Sequence, residues 1–315
     1  MHSFTQYLNL INRWVWSLPL LVLLIGTGIY LTVILRGIQF RYLGYSLKLA
    51  FTRKDDNAEG DISQFQALMT AMSATLGIGS IAGVATAITI GGLGALFWMW
   101  MTGLVGMATK YAEALLAVKY RVHDDIGEMC GGPMYYLERG LNWKGMAIFF
   151  AVMGTLTALT TGNMVQANSI ANAAFDSWQV NTIWTGVILA VVTGLVLLRG
   201  IKSIGVITEY LVPIMGVLYL IGGITIVLLN YRHIPSGLAL IVSSAFKGEA
   251  AIGGFAGSTV LLAMRMGAVR GVFSNESGLG SSPIAAAAAK TDRPGRQALI
   301  SMSGAFLATF VVCTI

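Results

Sequence analysis

Charge is what this sequence has least of. Asp, Glu, Lys and Arg make up 11% of its 315 residues, less than half the roughly 25% of a soluble domain. A soluble fold of this length needs that polarity to cover its surface. Cysteine is nearly absent too. Cys130 falls in a polar stretch and Cys313 inside an apolar run, which excludes a disulfide framework and any metal-ligand spacing. There are three histidines and no Ser-His-Asp or Cys-His constellation, so no catalytic residue and no resident cofactor is expected, and the chain is not read as an enzyme. No Asp, Glu or His lies deep in an apolar run. A midplane proton carrier is therefore missing, which favours coupling to a metal cation through neutral oxygens.

Apolar and small residues fill the space instead. The chain is 56% hydrophobic with 38 glycines and 15 methionines, as in membrane helices that pack closely. Its net charge is +6, but the basic residues sit in short loops between apolar runs. The partner they imply is a lipid bilayer, not nucleic acid. Arg13 precedes an apolar run from Ser17 to Leu35 that is too long for a signal peptide and lacks a cleavage site, so it reads as a retained helix.

A spanning helix needs about 20 mostly apolar residues. Eight stretches qualify: Ser17–Leu35, Gln64–Ile90, Gly92–Val118, Lys144–Phe175, Thr182–Leu198, Ile207–Asn230, Ala250–Met266 and Gln297–Ile315. The expected fold is an all-α polytopic membrane protein, a single transmembrane transporter domain over residues 1–315. With the N-terminus outside, 17 of the 20 basic residues fall in inner loops, leaving Arg13, Arg232 and Lys247 outside. That is the cytoplasmic excess of a multi-pass protein in a bacterial or archaeal plasma membrane. The last run stops at Ile315 without a polar flank, so the sequence is expected to be a fragment of a longer chain.

Two runs break the helical pattern. The second contains Ser73-Ala74-Thr75-Leu76-Gly77-Ile78-Gly79-Ser80, and the seventh contains Gly253-Gly254-Phe255-Ala256-Gly257-Ser258-Thr259. Clustered glycines disfavour a helix by about 1 kcal/mol each, and unwound backbone at membrane depth survives only where it is buried or lines a cavity. A pair of glycine-interrupted spans is the best sequence pointer to a transporter site. The two lie five spans apart, so they cross in opposite directions, as an inverted five-helix repeat requires. Exposed carbonyls suit a small cation, to which the hydroxyls of Ser73, Thr75, Ser80, Ser258 and Thr259 can add neutral oxygens, with Ser73, Ser80 and Thr259 assigned to the cation; free amides at a half-helix N-terminus suit a carboxylate. A zwitterionic amino acid with a monovalent cation fits both. Packing is the competing explanation, since Gly79 and Gly83 form a GxxxG pair; the matched positions in opposite halves favour binding.

The fourth run adds Thr160, Thr161, Asn163, Gln166 and Asn168 to an apolar helix, where they either bond between helices or, for Gln166, reach substrate. Lys110 and Glu113 are spaced for an i,i+3 pair, Glu209 can reach Lys202 or its own helix N-terminus, and Arg265–Arg296 reads as a long inner loop in which Glu276, flanked by Arg265 and Arg270, forms an inner gate or a structural ion-pair network.

Several segments carry a resemblance: Ile81–Ile88, Thr109–Glu113, Gly131–Leu137, Gly253–Gly257 and, most specific, Arg270-Gly-Val-Phe-Ser-Asn-Glu-Ser-Gly-Leu-Gly-Ser-Ser-Pro283. They make the chain similar to the alanine or glycine:cation symporter family, also called sodium:alanine symporters, from about Gly60 to Ile315. The resemblance implies a leucine-transporter-like fold, with an extra N-terminal helix before two inverted five-helix repeats, the second incomplete here. It implies symport of alanine, glycine or a similar small amino acid with Na+ or H+ by alternating access. Gly77, Gly79, Gln166 and Gly253–Thr259 would surround the substrate, with Phe255 shaping its apolar side. The chain departs from the family's Gly-Thr-Gly-Asn stretch at Ile78 and Ser80. Family members run to about eleven helices, roughly three more than here. A channel would need a continuous polar lining, of which only isolated spots are found; a non-transporting receptor would not need two broken helices. The sequence sets no oligomeric state.

Overall fold

The computed structural model describes residues 18–52, 58–247 and 259–315, together with Gln6, Tyr7 and Leu10. These are helical apart from short turns and one two-residue hairpin, β1 (Val122–His123) against β2 (Met129–Cys130). In order the helices are α1 (Leu18–Ile34), α2 (Ile38–Phe51), α3 (Gln64–Thr75), α4 (Ala82–Gly91), α5 (Gly94–Lys119), α6 (Pro133–Leu141) and α7 (Lys144–Trp178). They continue as α8 (Thr182–Leu197), α9 (Gly200–Leu229), α10 (Ile234–Lys247), α11 (Val260–Asn275), α12 (Ser282–Ala287) and α13 (Pro294–Val312). Ser63 opens α3 with a reciprocal capping box to Gln66, which satisfies two orphan amides at that end.

Among the described residues, three helices are long and apolar enough to cross a membrane as unbroken rods: α7, α9 and α13. The other expected spans take different forms. The first is a bent pair, α1 and α2, meeting at 83°, with Arg36 and Gly37 both left-handed at the corner. Leu24 packs on Gly278 beside Glu113, and Gly28 packs on Val105, so α1 runs antiparallel to α5. An N-terminus outside required one straight crossing parallel to α5; the corner at Arg36–Gly37 removes the premise of that expectation. The second expected span is two short helices, α3 and α4, separated by Leu76–Ile81.

The largest correction concerns Arg265–Arg296. It is not a long loop: α11 carries Arg265 and Arg270 through to Asn275, a six-residue turn follows, and α12 continues to Ala287. Arg265 and Arg270 therefore leave the inner-loop charge count, while most of the basic residues stay in it. The expected break at Gly253–Ser258 lies outside the described residues.

α5 is the post on which the rest is assembled. Gly267 and Gly271 of α11 face it so closely that a Cβ at Gly267 would collide with Ala95 and Trp98, and one at Gly271 would lie 3.0 Å from Thr102 Cβ. Small residues bring the two backbones together there, which is how helices gain contact in lipid. At one end of α5, Gly94 abuts Ser244 and Ala245 of α10. At the other end four loops meet. The Arg121 guanidinium donates to the carbonyls of Glu59, Ala287, Ala289 and Thr291 at 2.7–2.9 Å. Lys202 stands 4.0 Å from Asp61 and 3.9 Å from Glu128. All four loops had been assigned to the inner side by their charge, and they share one face.

Candidate functional site

The sequence Leu76-Gly-Ile-Gly-Ser-Ile81 interrupts one span with a tight turn. The Gly77 carbonyl accepts the amides of both Ser80 (3.1 Å) and Ile81 (3.2 Å), and the Ile78 carbonyl accepts that of Gly83. Ser80, 1% exposed, closes the turn by donating its hydroxyl to the Thr75 carbonyl at 2.5 Å. Thr75 is buried as well and donates its own hydroxyl to Met72. Side-chain hydroxyls thus replace the helical ladder where the chain leaves it, as buried backbone demands.

The partner of this turn is the second interrupted span. α11 ends at Asn275, and Glu276, Gly278 and Gly280 all take left-handed backbone before α12 begins. Glycine tolerates that conformation freely and a glutamate does not, so Glu276 marks the corner where the chain is made to turn. The first interruption touches the last turn of α11, just before the second. Ser80 Oγ lies 2.8 Å from Ser274 Oγ, and Ser274 Oγ lies 3.0 Å from Cys313 Sγ on α13. Gly79 faces Phe273 so closely that an added Cβ would sit 3.0 Å from its carbonyl oxygen and 3.2 Å from its ring. Farther out, Gly91 packs on Met266. Residue numbers rise along one span as they fall along the other, so the two broken spans run antiparallel.

Gln166 completes the cluster. Its Oε1 lies 3.3 Å from where a Cβ at Gly77 would be. It follows a π-helical stretch, Ala158–Met164, of the kind that often re-aims side chains at functional sites. Asn163 and Asn168 are exposed, and Thr160 bonds back to its own helix. The structure therefore brings together Thr75, Gly77, Gly79, Ser80 and Gln166. It does not bring in Ser73, an exposed residue whose hydroxyl donates to Thr70 O at 2.7 Å. Nor does it bring in Thr259, which accepts the Leu262 amide and caps the far end of α11. Fifteen residues of helix, about 22 Å at 1.5 Å each, separate Thr259 from Ser274. Gly254, Phe255, Gly257 and Ser258 lie outside the described residues. Phe273, Ser274 and Cys313 were missed as site residues, although the first two stand inside the most specific segment of the resemblance.

At the second interruption, Lys110 and Glu113 meet the backbone and not, as expected, each other. Lys110, 3% exposed, donates to the Asn275 carbonyl at 2.8 Å. Glu113 accepts the Gly278 amide at 3.2 Å. Glu276 takes a hydrogen bond from Ser281, and Glu209 takes one from Gln66. A cavity of about 340 Å³ opens between α1, α5 and this interruption, lined in part by Leu24, Thr102, Glu113 and Ser277. It lies apart from the Ser80–Ser274 contact.

Comparison with known proteins matches residues 1–315 to the sodium:alanine symporter family. The chain is 54% identical to the sodium/alanine symporter AgcS of Methanococcus maripaludis, over 99% of this chain and 69% of that protein. It is 39% identical to the probable sodium/glutamine symporter GlnT of Bacillus subtilis, over 96% of this chain and 62% of that protein. A putative sodium/proton-dependent alanine carrier, YrbD of Bacillus subtilis, is 36% identical over 96% of this chain and 61% of that protein.

Proposed function

The chain belongs to the sodium:alanine symporter family, a family of membrane transporters, and on that premise we propose that it forms the central binding core of a plasma-membrane symporter. The cargo is a small neutral amino acid of the alanine or glycine class, carried with Na+ by alternating access. The observation that carries this reading is the buried contact of two interrupted, antiparallel spans, Ser80 Oγ to Ser274 Oγ at 2.8 Å. Two interrupted spans brought together are the form that transporter sites take, with half-helix ends facing the cargo. The antiparallel relation also supports the inverted-repeat architecture. The face that carries Arg121, Lys202 and Lys290 is the cytoplasmic one, by its basic loops.

Size selection follows from the glycines. Gly77 sits under the Gln166 amide and Gly79 under Phe273, so the floor of the site is backbone and an amino acid's polar groups can approach it closely. The Gln166 amide oxygen can accept from the ammonium and its NH2 can donate to the carboxylate. Ser80 and Ser274 supply neutral oxygens for a cation, the hard ligands that Na+ takes in place of water. The names of the relatives, which print alanine in two cases and glutamine in one, support an amino-acid cargo. The test is uptake of alanine into proteoliposomes holding the protein, with and without an inward Na+ gradient. Gradient-driven accumulation supports the symporter. Absence of driven uptake of any small amino acid, with Na+ or H+, leaves only the fold.

A further inference from the structure

The second interruption leaves two kinds of orphan groups: carbonyls at the end of α11 and amides in the turn after it. Both are met from outside the site by one helix. Lys110 and Glu113 stand three residues apart on α5, on one face, yet they do not serve each other first. The Lys110 ammonium goes to the carbonyl of Asn275, the last residue of α11, at 2.8 Å. The Glu113 carboxylate receives the amide of Gly278 at 3.2 Å, with the Gly280 amide also facing it. The signs match the backbone: a cation on the carbonyl end of a helix and an anion on free N–H groups, each favourable where the helix dipole is exposed. The same residues feed the contact at the front. Asn275 is fully buried, donates to Thr309 Oγ1 on α13 and accepts the Ser277 amide. Ser274, its neighbour, holds Ser80 and Cys313.

We propose that Lys110 and Glu113 act as a two-charge clamp that fixes the corner of the second interrupted span, and so are positioning residues for the amino-acid and cation site. This rests on the symporter reading and deepens it. Their place is behind the site, so neither touches cargo. They set where Phe273 and Ser274 stand relative to Gly79 and Ser80. A charge on each side is needed because the corner presents both polarities within four residues, from the Asn275 carbonyl to the Gly278 amide.

The experiment uses the full chain with Lys110→Met, Lys110→Arg and Glu113→Gln, in two readouts. In proteoliposomes, Lys110→Met and Glu113→Gln are expected to raise the alanine KM by about tenfold to a hundredfold, the loss of one charge-assisted hydrogen bond. Lys110→Arg is expected to recover most of it. In detergent without cargo, Cys313, 4% exposed and held by Ser274, is expected to react about tenfold faster with a methanethiosulfonate in Lys110→Met, scored at its own peptide by mass spectrometry. Variants of normal yield and melting temperature with unchanged KM and unchanged Cys313 reactivity overturn the clamp. So does a fall in yield with wild-type KM in the surviving protein, which is a merely structural role. Changed Cys313 reactivity in a protein that transports no amino acid keeps the clamp and removes the symporter reading instead.

Discussion

Replacing Gly79 by alanine tests the contact of the two interrupted spans at its tightest point. A Cβ there would lie 3.0 Å from the Phe273 carbonyl oxygen and 3.2–3.3 Å from two carbons of its ring. The oxygen is backbone at the end of α11 and cannot swing aside, so the turn and the helix must separate by a few tenths of an ångström. Overpacking of this kind costs about 1–3 kcal/mol, or about five- to 150-fold in an equilibrium constant. If the contact is part of the binding core, the cost falls on alanine binding. The expected result is a KM raised within that range in proteoliposomes, with protein yield and melting temperature little changed. Phe273→Leu removes the ring and leaves the carbonyl, so the double variant should recover part of the loss. A coupling of about 0.5 kcal/mol or more in that cycle would mark direct contact. Gly186→Ala is the control, because nothing lies within 4 Å of its added Cβ. A Gly79→Ala protein with wild-type KM would refute the reasoning, as would an equal effect at Gly186.

Other consequences are open to measurement. Ser80→Ala and Ser274→Ala each remove one side of the 2.8 Å hydroxyl contact; each is expected to cost about 1–2 kcal/mol in Na+-dependent alanine binding, and the pair less than the sum. Arg121→Met leaves four loop carbonyls without their shared donor; a loss of about 1–3 kcal/mol should show as a lowered melting temperature. Burial pushes the Cys130 thiol up, with a smaller rise from Asp124 and an opposing hydrogen bond from Tyr135. Its maleimide labelling should be slower than that of a free thiol at neutral pH and should speed up as pH rises through its raised value. The sign for stability is the reverse: the folded thiol holds its proton longer, so its contribution is full below the ordinary thiol range and is lost as pH rises through the raised value.

Hydropathy and glycine spacing by themselves determined the membrane class and the first interruption at Gly77–Ser80. Each of these is written locally, either as a run of apolar residues facing lipid or as glycines that a helix does not favour. The second interruption was not legible in that way. α11 carries Arg265 and Arg270 and packs on α5, so it needs no long apolar run, and its corner begins at Glu276, a residue whose left-handed φ of 54° has no compositional signature. The 14-residue helices α2 and α10 escaped because each is shorter than the run of about 20 apolar residues that marks a span. Tertiary structure alone decided that Ser274 and Cys313 meet Ser80, and that Lys110 and Glu113 serve the backbone of α11 and its turn instead of each other. The physical reason is that apolar periodicity reports which surface a helix turns toward lipid, whereas a hydrogen-bonded corner is fixed by whichever partners packing delivers, up to 194 residues away in the chain.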